Sequence, residues 1–371
     1  MSEAAARRPD WINISFLMLT PLIGVGGTAY YTWRVGLELW MPLLLVGMYL
    51  AVGLSICAGY HRLFSHRSYS CSRPVQAVLA FFGAMAAQNS ILAWCSGHRA
   101  HHRYVDRDWD PYNIRRGFWW AHILWVFYKA PEDAACPDVR DLENNPIVRW
   151  QDRWYRPILL LGGFGIPLAI GAAFGHPLGG LLWGGFLRIA VIHHTTFFVN
   201  SLAHSLGTPR FDADVSARDN GMVALLTLGE GYHSFHHRFP SDFRNGVRWY
   251  HWDPAKWFIR GLAAVGLASN PRRTPAHAIA RAWMQAEARR IEGELPRVAP
   301  DRGVEIRRLL DRAKTALEHS VTLWKRHIEE REKGVAAAWR LTRRRSNLRL
   351  RQARRRFRDA TRRWDAIRQA A

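Results

Sequence analysis

The sequence predicts an all-α integral membrane protein in which four transmembrane helices carry a cytosolic helical cap that holds an all-histidine site for two metal ions. Three observations predict it. Apolar residues gather in the first half of the 371-residue chain, in runs near 11–33, 39–58, 157–175 and 181–200; each is close to the roughly twenty residues that cross a hydrocarbon core. Eight histidines stand in three short blocks: His61 and His66, then His98, His101 and His102, then His233, His236 and His237. Lysine and arginine collect on one side of the predicted spans. The mean hydropathy of −0.19 reads as soluble only because it averages over this uneven distribution.

Taken in order, residues 1–10 are polar and lack the apolar core and cleavage site of a signal peptide, so the first span is expected to act as its own insertion signal. Four spans put both termini on the same side. The connections at 34–38 and 176–180 are short and hold one arginine, whereas the opposite side holds every histidine block and nearly all other basic residues. The positive-inside rule then assigns blocks and termini to the cytoplasm. The apolar run 75–95 carries Gln76, Gln88 and Asn89 and is expected as a cytosolic or interfacial helix capping the site. Cys57, Cys71, Cys95 and Cys136 show no CxxC or paired spacing, which fits a reducing compartment. The expected organisation is an N-terminal cytosolic segment (1–10), a core (11–260), a linker with a helical segment (261–296) and a basic helical extension (297–371). The extension holds 23 Lys and Arg against 9 Asp and Glu, and so supplies +14 of the chain's +22.

The histidine blocks carry the chemistry. Imidazole suits iron, zinc or copper, and one metal rarely takes more than about four nitrogen ligands, so eight imply two metals in one site. HxxH spans close to a helical turn and turns both rings to one face; HxxxxH needs help from the local backbone. These blocks resemble the membrane fatty acyl desaturases, whose signature is HxxxxH, HxxHH and HxxHH in this order. The likeness extends to Gly59-Tyr60-His61-Arg62-Leu63-Phe64-Ser65-His66, Asp110-Pro111-Tyr112-Asn113, Asn200-Ser201-Leu202-Ala203-His204 and Gly229-Glu230-Gly231-Tyr232-His233. All of these look like the acyl-CoA Δ9 branch, over residues 15 to 260.

The resemblance implies nine metal ligands: His61, His66, His98, His101, His102, His204, His233, His236 and His237. It also implies that Asn200, one turn before His204, holds a water near one metal. Gln88, Trp94 and Thr196 align with residues that bend a closed substrate tunnel. Arg99, Arg115 and Arg116 are candidates for the coenzyme A phosphates, since the guanidinium fork binds phosphate bidentately. Two departures weaken the headgroup and tunnel correspondence: Gly97 stands where the family has an acidic residue, and Phe197 where a tryptophan usually follows the aligned threonine. Asp106, Asp108, Asp110, Glu230 and Asp242 flank the blocks and are candidates to accept the histidines' outer N–H groups.

The implied activity is O₂-dependent insertion of a cis double bond, at Δ9, into a long-chain acyl-CoA. The implied cofactor is a pair of iron ions. Removing hydrogen from an unactivated methylene needs an oxidant that side chains cannot supply, and zinc cannot change redox state. A hydroxylase or other oxygenase on the same site is the alternative; a zinc-holding scaffold is a third reading. No GxGxxG, cysteine quartet or haem module is present in the sequence, so the electrons must come from an external donor, either a ferredoxin or rubredoxin or a cytochrome b-type protein with its reductase. In the extension, Ile306, Leu310, Ala313, Leu317, Val321, Trp324, Ile328 and Val335 form an apolar stripe. It predicts a basic amphipathic helix lying on anionic lipid or packed on the cap; helical self-association is the alternative, and nucleic acid is not an expected partner. The Arg- and Ala-rich composition points to a bacterial inner membrane.

Overall fold

The computed structural model describes residues 8–129, 139–294, 300–332 and 336–369. Cys136, Val335 and most of the segment 1–10 lie outside the described residues, as do the side chains of Leu317, Val321, Trp324 and Ile328. Two compact units emerge, Met1–Thr208 with Val215–Arg273, and Pro209–Asp214 with Thr274–Ala371.

In the first unit, three helices are long and apolar enough to cross a membrane: Trp11–Val35, Trp40–Ser65 and Tyr155–Ala173. They turn Leu22, Leu43, Leu160 and Leu161 outward, as segments solvated by hydrocarbon do. Four spans were expected. The fourth run folds as one continuous helix through Pro177–Gly180, Leu181–Leu187 and Arg188–Ser201, but it is less apolar than the others. His193 and His194 contribute, and so does the buried Arg188. Its guanidinium donates to the carbonyls of Gly163 (2.9 Å), Gly184 (3.1 Å) and Met85, which satisfies a charge that hydrocarbon would not tolerate. This helix packs tightly on Tyr155–Ala173: a Cβ on Gly180 would lie 2.2 Å from the Pro167 carbonyl oxygen.

The run 75–95 is two helices and not one. Arg73–Ala84 stops, the chain turns through residues 85–90, and Ile91–Tyr104 begins. Ala87 and Asn89 adopt φ of 58° and 73°, a left-handed conformation that asparagine accepts and that no α-helix can contain. Around this break, Met48, Val52, Ile56 and Tyr60 pack with Leu79, Met85, Ile91 and Cys95 in the largest apolar core. A short antiparallel pair, Ser70 with Ser269 and Cys71 with Ala268, ties the end of the unit back to its middle.

The second unit is helical: Ala276–Glu294, Pro300–Glu332 and Ala336–Gln369. Ile306, Leu310 and Ala313 of the predicted stripe are buried against Ala280, Met284, Ala288, Ile291 and Ala353. These three residues therefore help build a core of this unit's own.

Candidate metal centre

Each histidine block sits on a helical end that aims it inward. The first occupies the close of the second span, where Ser55–Ser65 widens to i→i+5 hydrogen bonding; His66 N donates to His61 O at 3.1 Å. That wider turn brings residues five apart into line, which an ordinary α-turn does not. The second block lies on Ile91–Tyr104 and the third on His233–Arg238. His204 closes the short 3₁₀ turn Leu202–His204 that continues Arg188–Ser201. At the turn leading to the third block, Gly229 has φ 101°, and a Cβ there would lie 2.7 Å from Asp253 Cα. Only glycine fits such a place.

All nine histidines converge, in two groups whose donor atoms lie within 4.8 Å of one another: His61, His66, His98, His102 and His236, and then His101, His204, His233 and His237. Every one presents Nε2. The contacts are His61–His236 at 2.9 Å, His66–His98 at 2.8 Å and His236–His102 at 2.9 Å in the first group. In the second they are His101–His237, His233–His204 and His237–His233, each 3.1 Å.

Several outer nitrogens are held. His61 Nδ1 meets Glu230 Oε2 at 2.8 Å, and His101 Nδ1 meets Asp110 Oδ1 at 2.9 Å. His204 Nδ1 meets Ser216 Oγ at 2.6 Å, whose hydroxyl in turn reaches Asp106 Oδ1 at 2.5 Å. His98 Nδ1 faces Tyr112 Oη at 3.3 Å, while the buried Nδ1 of His233 has no partner. Where a carboxylate takes the Nδ1 proton, Nε2 is left as a bare lone pair. Several lone pairs crowded at one point repel one another, and a cation resolves this. Burial, reinforced by neighbouring imidazoles, pushes His98, His102, His233, His236 and His237 well below the ordinary histidine range. They are therefore neutral, the form that binds metal. The donor sets thus fit two metal ions. The five donors of the first group exceed a closed tetrahedral zinc set.

Of the five flanking acids, Asp106, Asp110 and Glu230 reach the histidines. Asp242 pairs with Arg244 at 2.8 Å, and among the described residues no contact joins Asp108 to a histidine. A buried network behind Glu230 was not visible in the sequence. Arg62 NH2 lies 2.9 Å from both Glu230 Oε1 and Asp253 Oδ1. Asn245 Nδ2 donates to Glu230 Oε2 at 2.6 Å, and Asp253 also takes the N–H groups of Asn245, Gly246 and Lys256. Burial would raise the Glu230 carboxyl, but His61 and Arg62 pull it down to about 2. The Asp253-Pro254 pair, a helix-start signal, was the one available clue.

A cavity leads from the histidines between the helices. It touches His61 and His98 of one group and His101 and His233 of the other. Gln88, Trp94, Thr196 and Asn200 line it. The first three form a chain: Gln88 Nε2 donates to Thr196 Oγ1 at 2.9 Å, and Trp94 Nε1 to Gln88 Oε1 at 3.3 Å. Phe16, Leu17, Ile56 and Ile192 make much of the rest of the wall apolar, with Asn13, His193 and Thr227 among its polar members. Arg99, Arg115 and Arg116 do not line it. Arg99 donates to the Phe64 and Ser65 carbonyls and to both oxygens of Asp141. Arg115 and Arg116 are exposed, and Arg116 lies 3.6 Å above the Trp120 ring.

With this geometry in hand, comparison with known proteins is direct. The fatty acid desaturase profile matches residues 38–270. Acyl-CoA desaturase 1 of Saccharomyces cerevisiae is 42% identical over 76% of this chain and 55% of its own length. The sn-2 palmitoyl-lipid 9-desaturase of Nostoc sp. is 36% identical, covering 71% and 91%, and human stearoyl-CoA desaturase is 35% identical, covering 72% and 76%. The chain thus spans little more than half the length of the yeast relative. The yeast and mammalian relatives give no support to the bacterial inner membrane expected from composition; that expectation rested on arginine and alanine content alone. A match over residues 38–270 that contains all nine converging histidines places the chain in the fatty acid desaturase family.

Proposed function

We propose that this chain is an O₂-dependent fatty acyl desaturase that converts a –CH₂–CH₂– of a long-chain acyl-CoA to a cis double bond, at Δ9. The reaction uses O₂, two electrons and two protons, and releases two waters. The observation that carries this reading is the cavity: a largely apolar space lined by Gln88, Trp94 and Thr196 that touches histidines of both groups at once. In this reading His61, His66, His98, His102 and His236 hold one iron, and His101, His204, His233 and His237 hold the other, with Asn200 positioning a water beside the second. When bound, the irons supply the O₂-derived oxidant that no side chain can provide. The protein's own part is to grip and orient. The apolar wall takes the alkyl chain and excludes water, the Gln88–Thr196 bridge fixes where it bends, and Glu230 and Asp110 hold His61 and His101 by their outer N–H groups.

The fourth helix, through Arg188–Ser201, completes four spans in this proposal, with both termini and the histidine blocks on the cytoplasmic side. The core is 11–260, followed by a linker to 296 and the basic extension from 297. Arg115 and Arg116 are the headgroup contacts, because Arg99 is already committed to Asp141. An external redox protein delivers the electrons. The names of the relatives support both an acyl-CoA and a lipid-bound acyl substrate, and the cytosolic arginines favour the first.

The test is expression in a host without its own desaturase, alongside a His98→Ala control, with total fatty acids profiled by mass spectrometry. A new monoene that disappears in the control supports the proposal. A hydroxylated acid in its place would overturn it in favour of an oxygenase. Feeding the purified, reduced enzyme labelled stearoyl-CoA or labelled phospholipid then separates the two substrate classes.

A further inference from the structure

The charge of the second unit is confined to one helix. Ala276–Glu294 holds 3 basic and 3 acidic residues, and Pro300–Glu332 holds 8 and 7. Ala336–Gln369 holds 13 and 2, and all 13 are arginine. Arg343, Arg344, Arg345, Arg355, Arg356 and Arg362 are exposed, whereas Ser346 and Ala353, seven residues apart, are buried. Among the described side chains, the helix therefore turns Ser346 and Ala353 inward and these arginines outward. Of the apolar stripe on the preceding helix, the described residues Ile306, Leu310 and Ala313 are closed into the unit's own core. Among the described side chains of the last helix, only Leu348 exposes a large apolar surface.

We propose that the outer face of Ala336–Gln369 docks on the phosphates of an anionic phospholipid surface by charge and bidentate hydrogen bonding, without insertion. Arginine without lysine is the composition that phosphate recognition favours, since the planar fork takes two oxygens at once. The chain runs directly from a membrane-spanning unit into this one at Arg273, so a headgroup surface is the polyanion always within reach. Each arginine near an anionic leaflet adds to the attraction, and the effect fades within a Debye length. This mode differs from that of an amphipathic anchor, whose binding follows buried apolar area. It is independent of the catalytic reading.

The test uses the full chain embedded in neutral phosphatidylcholine nanodiscs and offered vesicles in trans, with binding read by flotation. Vesicles rich in phosphatidylglycerol should capture it at least about tenfold better than phosphatidylcholine vesicles, and salt near 0.5 M should release it. Replacing Arg343, Arg344, Arg345, Arg355 and Arg356 by glutamine should abolish capture and leave the lipid chemistry of the core unchanged. The same five positions as lysine keep the charge and check the fold; capture should fall partway. Equal capture by neutral vesicles would overturn the proposal, because it means insertion. Full capture of the glutamine variant would also overturn it. So would capture by polyuridylate beads without capture by anionic vesicles, which would identify nucleic acid as the partner.

Discussion

The two histidine groups present the same nitrogen inward, yet they are held from behind in different ways. His61, in the five-histidine group, leans on Glu230, which is locked with Arg62 and Asp253 into a buried network of full charges. In the four-histidine group, His101 leans directly on Asp110, and His204 reaches Asp106 only through the Ser216 hydroxyl. One group is anchored to the start of the distant helix Pro254–Ala264, the other to loops adjoining its own blocks. The lesson is that identical ligands can be fixed with unequal stiffness. A buried ion network fails severely when one member is lost, whereas a hydroxyl relay gives way by a single hydrogen bond.

The largest effects come from the ligands themselves. His98→Ala and His204→Ala each remove a donor from one group, and each should reduce activity to background. Metal analysis should find roughly one of the two iron equivalents missing in both. Retention of two full equivalents in either variant would show that the groups do not each hold an ion.

Next comes the network. Glu230→Ala leaves the fully buried Arg62 with Asp253 as its one carboxylate beside the Phe243 carbonyl and should cost about 3–5 kcal/mol of stability, read from thermal unfolding in detergent. Asp110→Asn should spare stability but weaken metal binding by about 10–100-fold, and Ser216→Ala should cost only about 1 kcal/mol. If Ser216→Ala proved as damaging as Glu230→Ala, the inequality between the groups would be wrong.

The same contrast sets a pH dependence. The Glu230 carboxyl is pulled down to about 2 from a usual 4.5, so its contribution is complete above the higher value and is lost as pH falls toward the lower. The metal-free protein should therefore lose melting temperature gradually below pH 6.5, where the unfolded chain protonates histidines that burial keeps neutral in the fold, and more steeply below 4.5, where the Glu230 contribution goes. Glu230→Gln should flatten that acid limb. An unchanged limb would mean that other carboxylates control it.

How much of this was readable from the sequence depends on distance along the chain. The blocks were legible because HxxH is a local pattern, and His204 because it sits in a familiar five-residue run. The alignment of His61 with His66 was not, since it needs the wider turn of Ser55–Ser65. Nor was the break after Ala84, which rests on left-handed Ala87 and Asn89 within an apolar run. Arg62 was in view beside His61, but Asp253 lies far along the chain, and no periodicity links them. Arg99 looked available for a phosphate until Asp141 came to its side. Of the stripe, Ile306, Leu310 and Ala313 pack into a protein core; which helices would meet them there was not legible in a periodicity.

The smallest effect tests whether the groups face the substrate as a pair. The cavity touches two histidines of each, so the position of the double bond depends on how the chain is bent before it arrives there. Thr196→Val removes the acceptor for Gln88 Nε2 while conserving shape and both groups of ligands. Loss of one such hydrogen bond should change the rate by less than about tenfold, and iron content should remain at two equivalents. The product is the sensitive readout: a relaxed bend lets the chain slide by a methylene, and the monoene should become a mixture of adjacent positional isomers. A single isomer at the original position would place the bend's control elsewhere along the wall, with Trp94 the next side chain to change.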